Sequence, residues 1–412
     1  MRLAVCAVMV CLSVGTAEAT DYYANASDYR AYVAKLRPGD RLLLAPGDYR
    51  QGLSLHTLSG RPGQPIVIAA ADPDAPPRLI ARAHANTVSL VDVRHLILRH
   101  LELDGQNLPV DAVKAEGHSR YADFVTLEHL YIHDHAASQQ NVGISTKCPA
   151  FGWVVKANRI ERVGTGMYFG DSDGTDPFVA GTIESNRISQ TVGYSMQIKH
   201  QKSRPSSYMG RHDTTIRYNV FFKQNYLPGP DARPNVLLGH FPLTGVGNED
   251  RYLVYGNLFL HNPSEALLQA EGRVAVYDNV FVNASGDAIH IQPHNDEPWD
   301  MAIFSNTILA AGTGIQIRRG ATPSYRQRVI ANVVSAAAPL RGGEAAYNVT
   351  LPYRADLLTR PVADLTAHLL AMDSSVPQLP ERLVREFAAY PGAGGSMLPG
   401  AKLLPILETM AQ

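Results

Sequence analysis

A repeated tripeptide runs through this chain: an Asn, one variable residue, and then an apolar or β-branched residue. By subtraction of residue numbers, the intervals between successive Asn residues run from 16 to 38. A repeat of this length, built on residues that favour extended backbone and lacking helical periodicity, predicts a β-solenoid. The copies begin at Asn158, Asn186, Asn219, Asn257, Asn279, Asn306, Asn332 and Asn348.

The recurrent Asn is predicted to be structural. Asn tolerates left-handed backbone at turns, and its side chain can hydrogen-bond to the neighbouring coil, so stacked copies would form an inner ladder. His100 and His129 lie 29 residues apart, as do His129 and Asn158. These two histidines are therefore expected at the same turn position in the earlier coils.

A second strand follows most of these turns, with apolar residues at alternate positions, as in a strand with one buried face. Stacked coils would bring the outward residues into one polar stripe, with neighbours about 4.8 Å apart. The stripe is predicted to contain two rows, Ser145, Tyr168, Gln197, His290 and Gln316, then Lys147, Lys199, Gln292 and Arg318.

The first 19 residues read as a secretory signal peptide. Arg2 precedes an apolar run, residues 3–14, that is too short to span a bilayer, and Ala17-Glu18-Ala19 forms a cleavage site. We expect a secreted or periplasmic protein that starts at Thr20. Only Cys148 would remain, so no intramolecular disulfide is expected.

The remaining chain is assigned to a solenoid domain, residues 20–350, and a C-terminal cap and tail, residues 351–412. The formal net charge is −1, so no global field attracts nucleic acid or a membrane surface. No later stretch is apolar enough for a membrane span, and we expect a monomer.

The N-terminal block carries a family resemblance. A helix predicted over residues 29–36, after the potential cap Asp28, is followed by Pro38-Gly39-Asp40, an apolar strand and Ala45-Pro46-Gly47-Asp48-Tyr49. This block resembles the opening of pectin lyase-like parallel β-helix proteins, among them the chondroitinase B-like and alginate lyase-like polysaccharide lyases. The resemblance implies an all-β, right-handed parallel β-helix with an N-terminal capping helix and an irregular C-terminal cap.

A basic segment, residues 194–212, is the leading candidate for chemistry. β-Elimination of a uronate needs cations to neutralise the carboxylate and a base to remove the C5 proton. We predict Lys199, near His200, as the base, and Arg204 and Arg211 as carboxylate ligands. Tyr168 would donate a proton to the leaving oxygen or stack on a sugar. A basic Lys and Arg pair also resembles the catalytic arrangement of the β-helix lyases named above.

Further side chains are predicted to bind substrate or metal. Three Asp residues close in sequence could hold Ca²⁺, which prefers oxygen ligands; these are Asp171, Asp173 and Asp176. The predicted substrate-binding residues are Gln197, Lys147, Lys202, His212, His240 and His290.

The leading hypothesis is a lyase that cleaves an acidic polysaccharide. A glycoside hydrolase or uronate epimerase on the same scaffold is the alternative, and a non-catalytic carbohydrate-binding β-helix is the third. The fold does not decide among them, because β-helices support all three.

Overall fold

The computed structural model describes residues 19–204, 208–223, 232–318, 323–373 and 375–401, and in it the chain winds into a right-handed parallel β-helix. Each strand pairs in parallel with the equivalent strand of the next coil, so the strands form three long faces. The predicted fold class is confirmed. The predicted signal peptide falls almost entirely outside the described residues.

The strands of face 1 are β1 (Asp21–Ala24), β2 (Arg41–Leu44), β5 (Ile66–Ala70), β8 (Val93–Arg99), β11 (Ala122–Glu128), β14 (Ala150–Phe151), β15 (Val154–Lys156), β18 (Phe178–Val179), β19 (Thr182–Glu184), β22 (Asp213–Arg217), β25 (Arg251–Tyr255), β28 (Val274–Tyr277), β31 (Met301–Phe304), β33 (Gln327–Ile330) and β35 (Glu344–Ala346).

The strands of face 2 are β3 (Asp48–Tyr49), β6 (Arg78–Ile80), β9 (Glu102–Asp104), β12 (Tyr131–His135), β16 (Arg159–Val163), β20 (Arg187–Thr191), β23 (Val220–Phe222), β26 (Leu258–Leu260), β29 (Val280–Asn283), β32 (Thr307–Ile317), β34 (Val333–Arg341) and β36 (Val349–Leu351). The strands of face 3 are β4 (Leu53–His56), β7 (Val88–Val91), β10 (Val113–Ala115), β13 (Val142–Thr146), β17 (Thr165–Phe169), β21 (Met196–Ile198), β24 (Val236–Leu238), β27 (Leu268–Ala270) and β30 (Ile289–Ile291). The long strands β32 and β34 continue from face 2 onto face 3.

The recurrent Asn residues form a continuous ladder inside the corner between faces 1 and 2. From Asn158 to Asn348, the backbone N–H and the Nδ2 of each Asn donate to the Oδ1 of the next, at 2.9–3.1 Å. Each Nδ2 also donates to a backbone carbonyl of a face 1 strand, as Asn186 does to Val155. The predicted inner ladder is confirmed, and it satisfies backbone groups that the turn would leave buried and unpaired.

The predicted turn position was wrong by one residue. The left-handed residue is the one before the Asn, such as Ala157 with φ of 54°. Strand pairing aligns His129 with Ala157 and Leu130 with Asn158, and the Leu130 N–H donates to the Asn158 Oδ1. His100 and His129 do share one column, where their rings stack 4.8 Å apart.

A short helix closes the N-terminal end. Helix α1 spans Tyr29–Val33, shorter than predicted, and the buried Tyr29 hydroxyl donates to the Gly52 carbonyl at 2.6 Å. Asp28 does not cap this helix, because its carboxylate accepts the Asn25 N–H instead.

The C-terminal segment covers two faces of the solenoid. Helix α2 (Leu365–Leu370) packs on outward apolar residues of face 2, and α3 (Glu381–Ala388) packs on face 1, where Phe387 stacks on Phe304 at 4.1 Å. Within the described ranges, neither helix packs on face 3. That face keeps an open, polar outer surface.

No helix among the residues described is both long and apolar enough to cross a membrane.

The ladder predicts a position-dependent cost of losing one Asn. Asn257→Ala removes side-chain hydrogen bonds to both neighbouring Asn residues, leaves the buried Asn219 N–H without its acceptor, and removes the Nδ2 donor from the Ile216 carbonyl. We expect it to lower the free energy of unfolding by about 2–4 kcal/mol. Asn348→Ala, at the less buried end of the ladder, should cost about 1 kcal/mol. Urea titration of both variants measures this, and equal costs would contradict an internal ladder.

Candidate active site

Two concavities meet on face 3 and form one groove that runs across the coils. They have volumes of about 420 and 350 Å³ and share the residues Tyr194, Gln197 and Lys199. Strand pairing places the outward residues of the groove floor in one row. This row confirms the first row of the predicted polar stripe. The row is Lys114, Ser145, Tyr168, Gln197, Leu237, Gln269, His290 and Gln316.

A second column lies beside this row. In register across successive coils, it consists of Lys147, Gly170, Lys199, Gly239, Glu271, Gln292 and Arg318. Lys147 and Lys199 are thus two coil steps apart, or about 10 Å. The glycines between them leave their neighbours room, since a Cβ at Gly170 would lie 3.3 Å from the Lys199 Cβ.

The half of the groove nearer the N-terminus, which we call the cationic half, concentrates positive charge. Lys114, Lys147, Lys199 and Arg233 line it together with Asp111, the single carboxylate among its described lining residues. The Lys114 Nζ lies 3.4 Å from the Asp111 Oδ2, so this pair is partly neutralised. The Lys199 side chain makes no hydrogen bond or ion pair with any described residue. Positive charge in this half is therefore available to an anion.

Lys147 and Tyr168 form the centre of the cationic half. The Lys147 Nζ lies 3.2 Å from the centroid of the Tyr168 ring. Burial, together with the charges of Lys114 and Lys199, lowers the pKa of Lys147 to about 8. Burial also raises the pKa of the Tyr168 hydroxyl, so that tyrosine stays protonated at neutral pH. A partly neutral amine and a protonated phenol are the groups that a base and an acid require.

The other half, which we call the acidic half, is lined by Glu265 and Glu271 with several amides. Glu271 is buried, and its Oε1 accepts the backbone N–H groups of His294, Asn295 and Asp296. Glu265 accepts one hydrogen bond from the Gln269 amide at 3.1 Å. This half therefore holds two carboxylates, with the shared Lys199 as its only strongly basic side chain among the described lining residues.

Five residues predicted from the sequence line the groove: Lys147, Tyr168, Gln197, Lys199 and His200.

Two predicted histidines lie close by. The His240 ring lies 5.7 Å from that of His200, and its Nδ1 contacts the Phe241 carbonyl. The pKa of His200 is lowered by burial and by the charges of His240 and Lys199. His290 continues the floor row, with its Nε2 2.7 Å from the Asp287 Oδ2.

The structure turns the rest of the basic segment away from the groove. Arg204 forms an ion pair with Asp250 in which both side chains are 1% exposed, so its guanidinium is not open to a substrate. Arg211 pairs with Asp213 on face 1. His212 packs edge-on against Phe151, also on face 1. Lys202 is exposed beyond the groove lining. The structure therefore does not bring these four predicted residues together with Lys199.

The predicted calcium ligands are not gathered into a site. The Asp171 carboxylate accepts hydrogen bonds from Thr175 and from the Asp176 N–H, so its oxygens bind groups of the same loop. In the described part of the chain, the three side chains grouped closely enough to hold a metal are instead Glu102, Asp104 and His133. Arg78 already donates to Asp104 in that group.

Several residues that line the groove were not predicted from the sequence: Asp111, Lys114, Tyr194, Arg233 and Glu265. Lys114 could have been found by extending the stripe one coil towards the N-terminus, since it pairs with Ser145. The others lie in corner loops without periodicity.

A further lysine, Lys223, links two of the corner loops that line the groove. The buried Lys223 Nζ donates to the carbonyls of Gly193 and Arg233 at 2.5 and 2.9 Å. Burial lowers the pKa of Lys223 to about 7. It holds together the two loops that carry Tyr194 and Arg233 to the groove.

Solved structures share this architecture at low sequence identity. The chain is similar to the GH136 lacto-N-biosidase from Eubacterium ramulus, with 14% identity and a TM-score of 0.52 over 81% of this chain and 68% of that one. It is also similar to a variant of the PL6 family alginate lyase AlyGC, with 11% identity and a TM-score of 0.50 over 80% of this chain and 51% of that one. The chain therefore shares the parallel β-helix fold of these two proteins. No protein-family model matches it, and no curated protein matches its sequence.

The placement of the two arginines predicts that their loss destabilises the fold to very different extents. Arg204→Ala would leave Asp250 buried without its partner, so we expect the free energy of unfolding to fall by about 3–5 kcal/mol. The exposed pair of Arg211 should make Arg211→Ala cost less than about 1 kcal/mol. Chemical denaturation of both variants tests this. An Arg204→Ala variant as stable as the parent would contradict a structural role for the ion pair with Asp250. Arg204 would then again be a candidate substrate ligand.

Proposed function

We propose that this protein acts on a polysaccharide, and that it is a secreted or periplasmic lyase that cleaves a uronate-containing polymer by β-elimination. One observation carries the proposal. The open face of the solenoid has a groove in which Lys114, Lys147 and Lys199 surround Tyr168. A long polymer fits a groove that crosses successive coils, and its carboxylates suit this cluster of lysines, of which Lys199 has no ion-pair partner in the described structure.

The reaction follows from the properties of these side chains. Lys199 and Lys114 would neutralise the uronate carboxylate and so acidify the proton at C5. Neutral Lys147 removes that proton, the C4–C5 double bond forms, and the bond from C4 to the leaving oxygen breaks. Tyr168 gives its proton to that oxygen. The proton taken up by Lys147 can then return to the adjacent Tyr168, which restores both groups.

Lys147 thus takes the role of base that the sequence suggested for Lys199. Lys199 stays a candidate, but Lys147 is the lysine with a lowered pKa, and it lies against the proposed acid. A base works best when its pKa is near the operating pH, because it is then neutral often enough to accept a proton. Lys199, without a partner in the described structure, is better suited to hold the carboxylate.

The alternatives make different demands on the same groove. A hydrolase needs two free carboxylates flanking the bond, but three backbone N–H groups hold Glu271 in place. A uronate epimerase would share the removal of the C5 proton and would return a proton to the opposite face of the sugar. An assay that follows the unsaturated product distinguishes a lyase from both.

The lysines can be tested against a matched control. Lys147→Ala should lower kcat by about 10²–10⁴-fold on any uronate polymer that the wild type cleaves, because the base is lost. Lys199→Ala should mainly raise KM, since it removes a carboxylate ligand. Lys35→Ala, an exposed lysine of the N-terminal cap, should change neither. Full activity of Lys147→Ala, measured as absorbance of the unsaturated product, would rule out this base.

The lowered pKa of Lys147 also predicts a pH profile. Because the neutral amine is the active form, kcat should rise with pH and reach half of its plateau near pH 8. The charge of Lys199 contributes to lowering this pKa, so Lys199→Ala should shift the midpoint of the residual activity to higher pH. A profile that falls between pH 7 and 9, or a midpoint that moves down in this variant, would contradict the assignment.

A further inference from the structure

The groove has opposite formal charge in its two halves. Among the described residues of the cationic half, four basic side chains face one carboxylate, Asp111. Among those of the acidic half, two carboxylates face Lys199, which the halves share. A polymer that crosses both halves therefore meets an environment that favours an acidic sugar at one end and disfavours it at the other.

Charged and uncharged residues alternate along the column beside the floor row. Lys147 and Lys199 are two coil steps apart, Glu271 lies two steps beyond Lys199, and Arg318 lies two steps beyond Glu271. Each interval is about 10 Å at the spacing of parallel strands. The side chains that separate the charged ones are Gly170, Gly239 and Gln292, which bear no charge.

The acidic half offers neutral hydrogen-bonding groups besides its carboxylates. Gln269 and Gln292 are bonded to each other at 3.2 Å, and Gln269 also donates to Glu265. Amides and carboxylates together suit the hydroxyl and amide groups of a neutral or amino sugar. A uronate at this point would place its carboxylate beside Glu265 and Glu271.

We propose that the substrate is an alternating polymer in which a uronic acid is followed by a sugar that has no carboxylate. The inference rests on the proposed function, because it assumes that a uronate occupies the cationic half. The uronate lies at Lys147 and Lys199, and the neutral or amino sugar lies against Glu265 and Glu271. A further uronate then comes within reach of Arg318. A homopolymer of uronic acids is disfavoured because every position would carry a carboxylate.

The test compares two kinds of polymer at equal uronate concentration. Hyaluronan and unsulfated chondroitin represent the alternating kind, and polymannuronate and polygalacturonate represent homopolyuronates. Binding is measured calorimetrically with the Lys147→Ala protein, which should not turn substrate over. Cleavage is measured with the wild type as formation of unsaturated product. We expect at least tenfold tighter binding of an alternating polymer, and product from it.

A charge variant tests the cause of the preference. Glu265→Gln keeps the shape of the side chain and removes its charge, so it should weaken the preference for the alternating polymer at least threefold. Glu249→Gln, an exposed carboxylate outside the groove, should leave the preference unchanged. A preference that survives Glu265→Gln in full would overturn the electrostatic explanation.

The outcomes separate the two levels of the proposal. If homopolyuronates are cleaved and bind as tightly as the alternating polymers, or more tightly, the lyase function stands and the inference of an alternating substrate fails. If no polymer binds or yields unsaturated product, the proposed function itself fails, and the inference fails with it.

Discussion

The hydrogen bonds between successive coils are the constraint on which the rest of the structure depends. Parallel pairing fixes each coil relative to the next, and the Asn ladder adds a buried side-chain bond at one corner of each later coil. Because this register is rigid, residues about 30 positions apart in sequence become neighbours about 4.8 Å apart. Lys147, Tyr168 and Lys199 form a cluster only because the coils hold this register.

The three faces differ in what covers their outer surfaces, and this difference explains why the groove lies on face 3. Helices α2 and α3 cover apolar outward residues of faces 1 and 2 in the C-terminal half. Face 3 carries polar outward residues, which can remain in water without such a cover. The scaffold thus leaves an open surface on which the Lys199 side chain has no hydrogen-bond or ion-pair partner among the described residues. An unpaired cation at such a position contributes little to stability and is available for an anionic ligand.

The sequence predicted the periodic parts of the molecule well and the irregular parts poorly. The floor row and the column through Lys147 and Lys199 follow from alternation and repeat length, and both were found in the predicted register. The histidine column was displaced by one residue, because equal spacing does not reveal which residue of a turn adopts the left-handed conformation. Arg204 was misplaced because its loop has no repeat, and its partner, Asp250, lies 46 residues away.

The central claim is that a uronate-containing polymer binds along face 3, centred on Lys147 and Tyr168. The most direct test is a crystal structure of the Lys147→Ala protein with a uronate-containing oligosaccharide of the polymer it binds. We predict sugar rings along the groove, with a carboxylate at ion-pair distance from Lys199 and the leaving oxygen next to the Tyr168 hydroxyl. Sugar bound on face 1 or face 2, with the groove on face 3 left empty, would contradict this account.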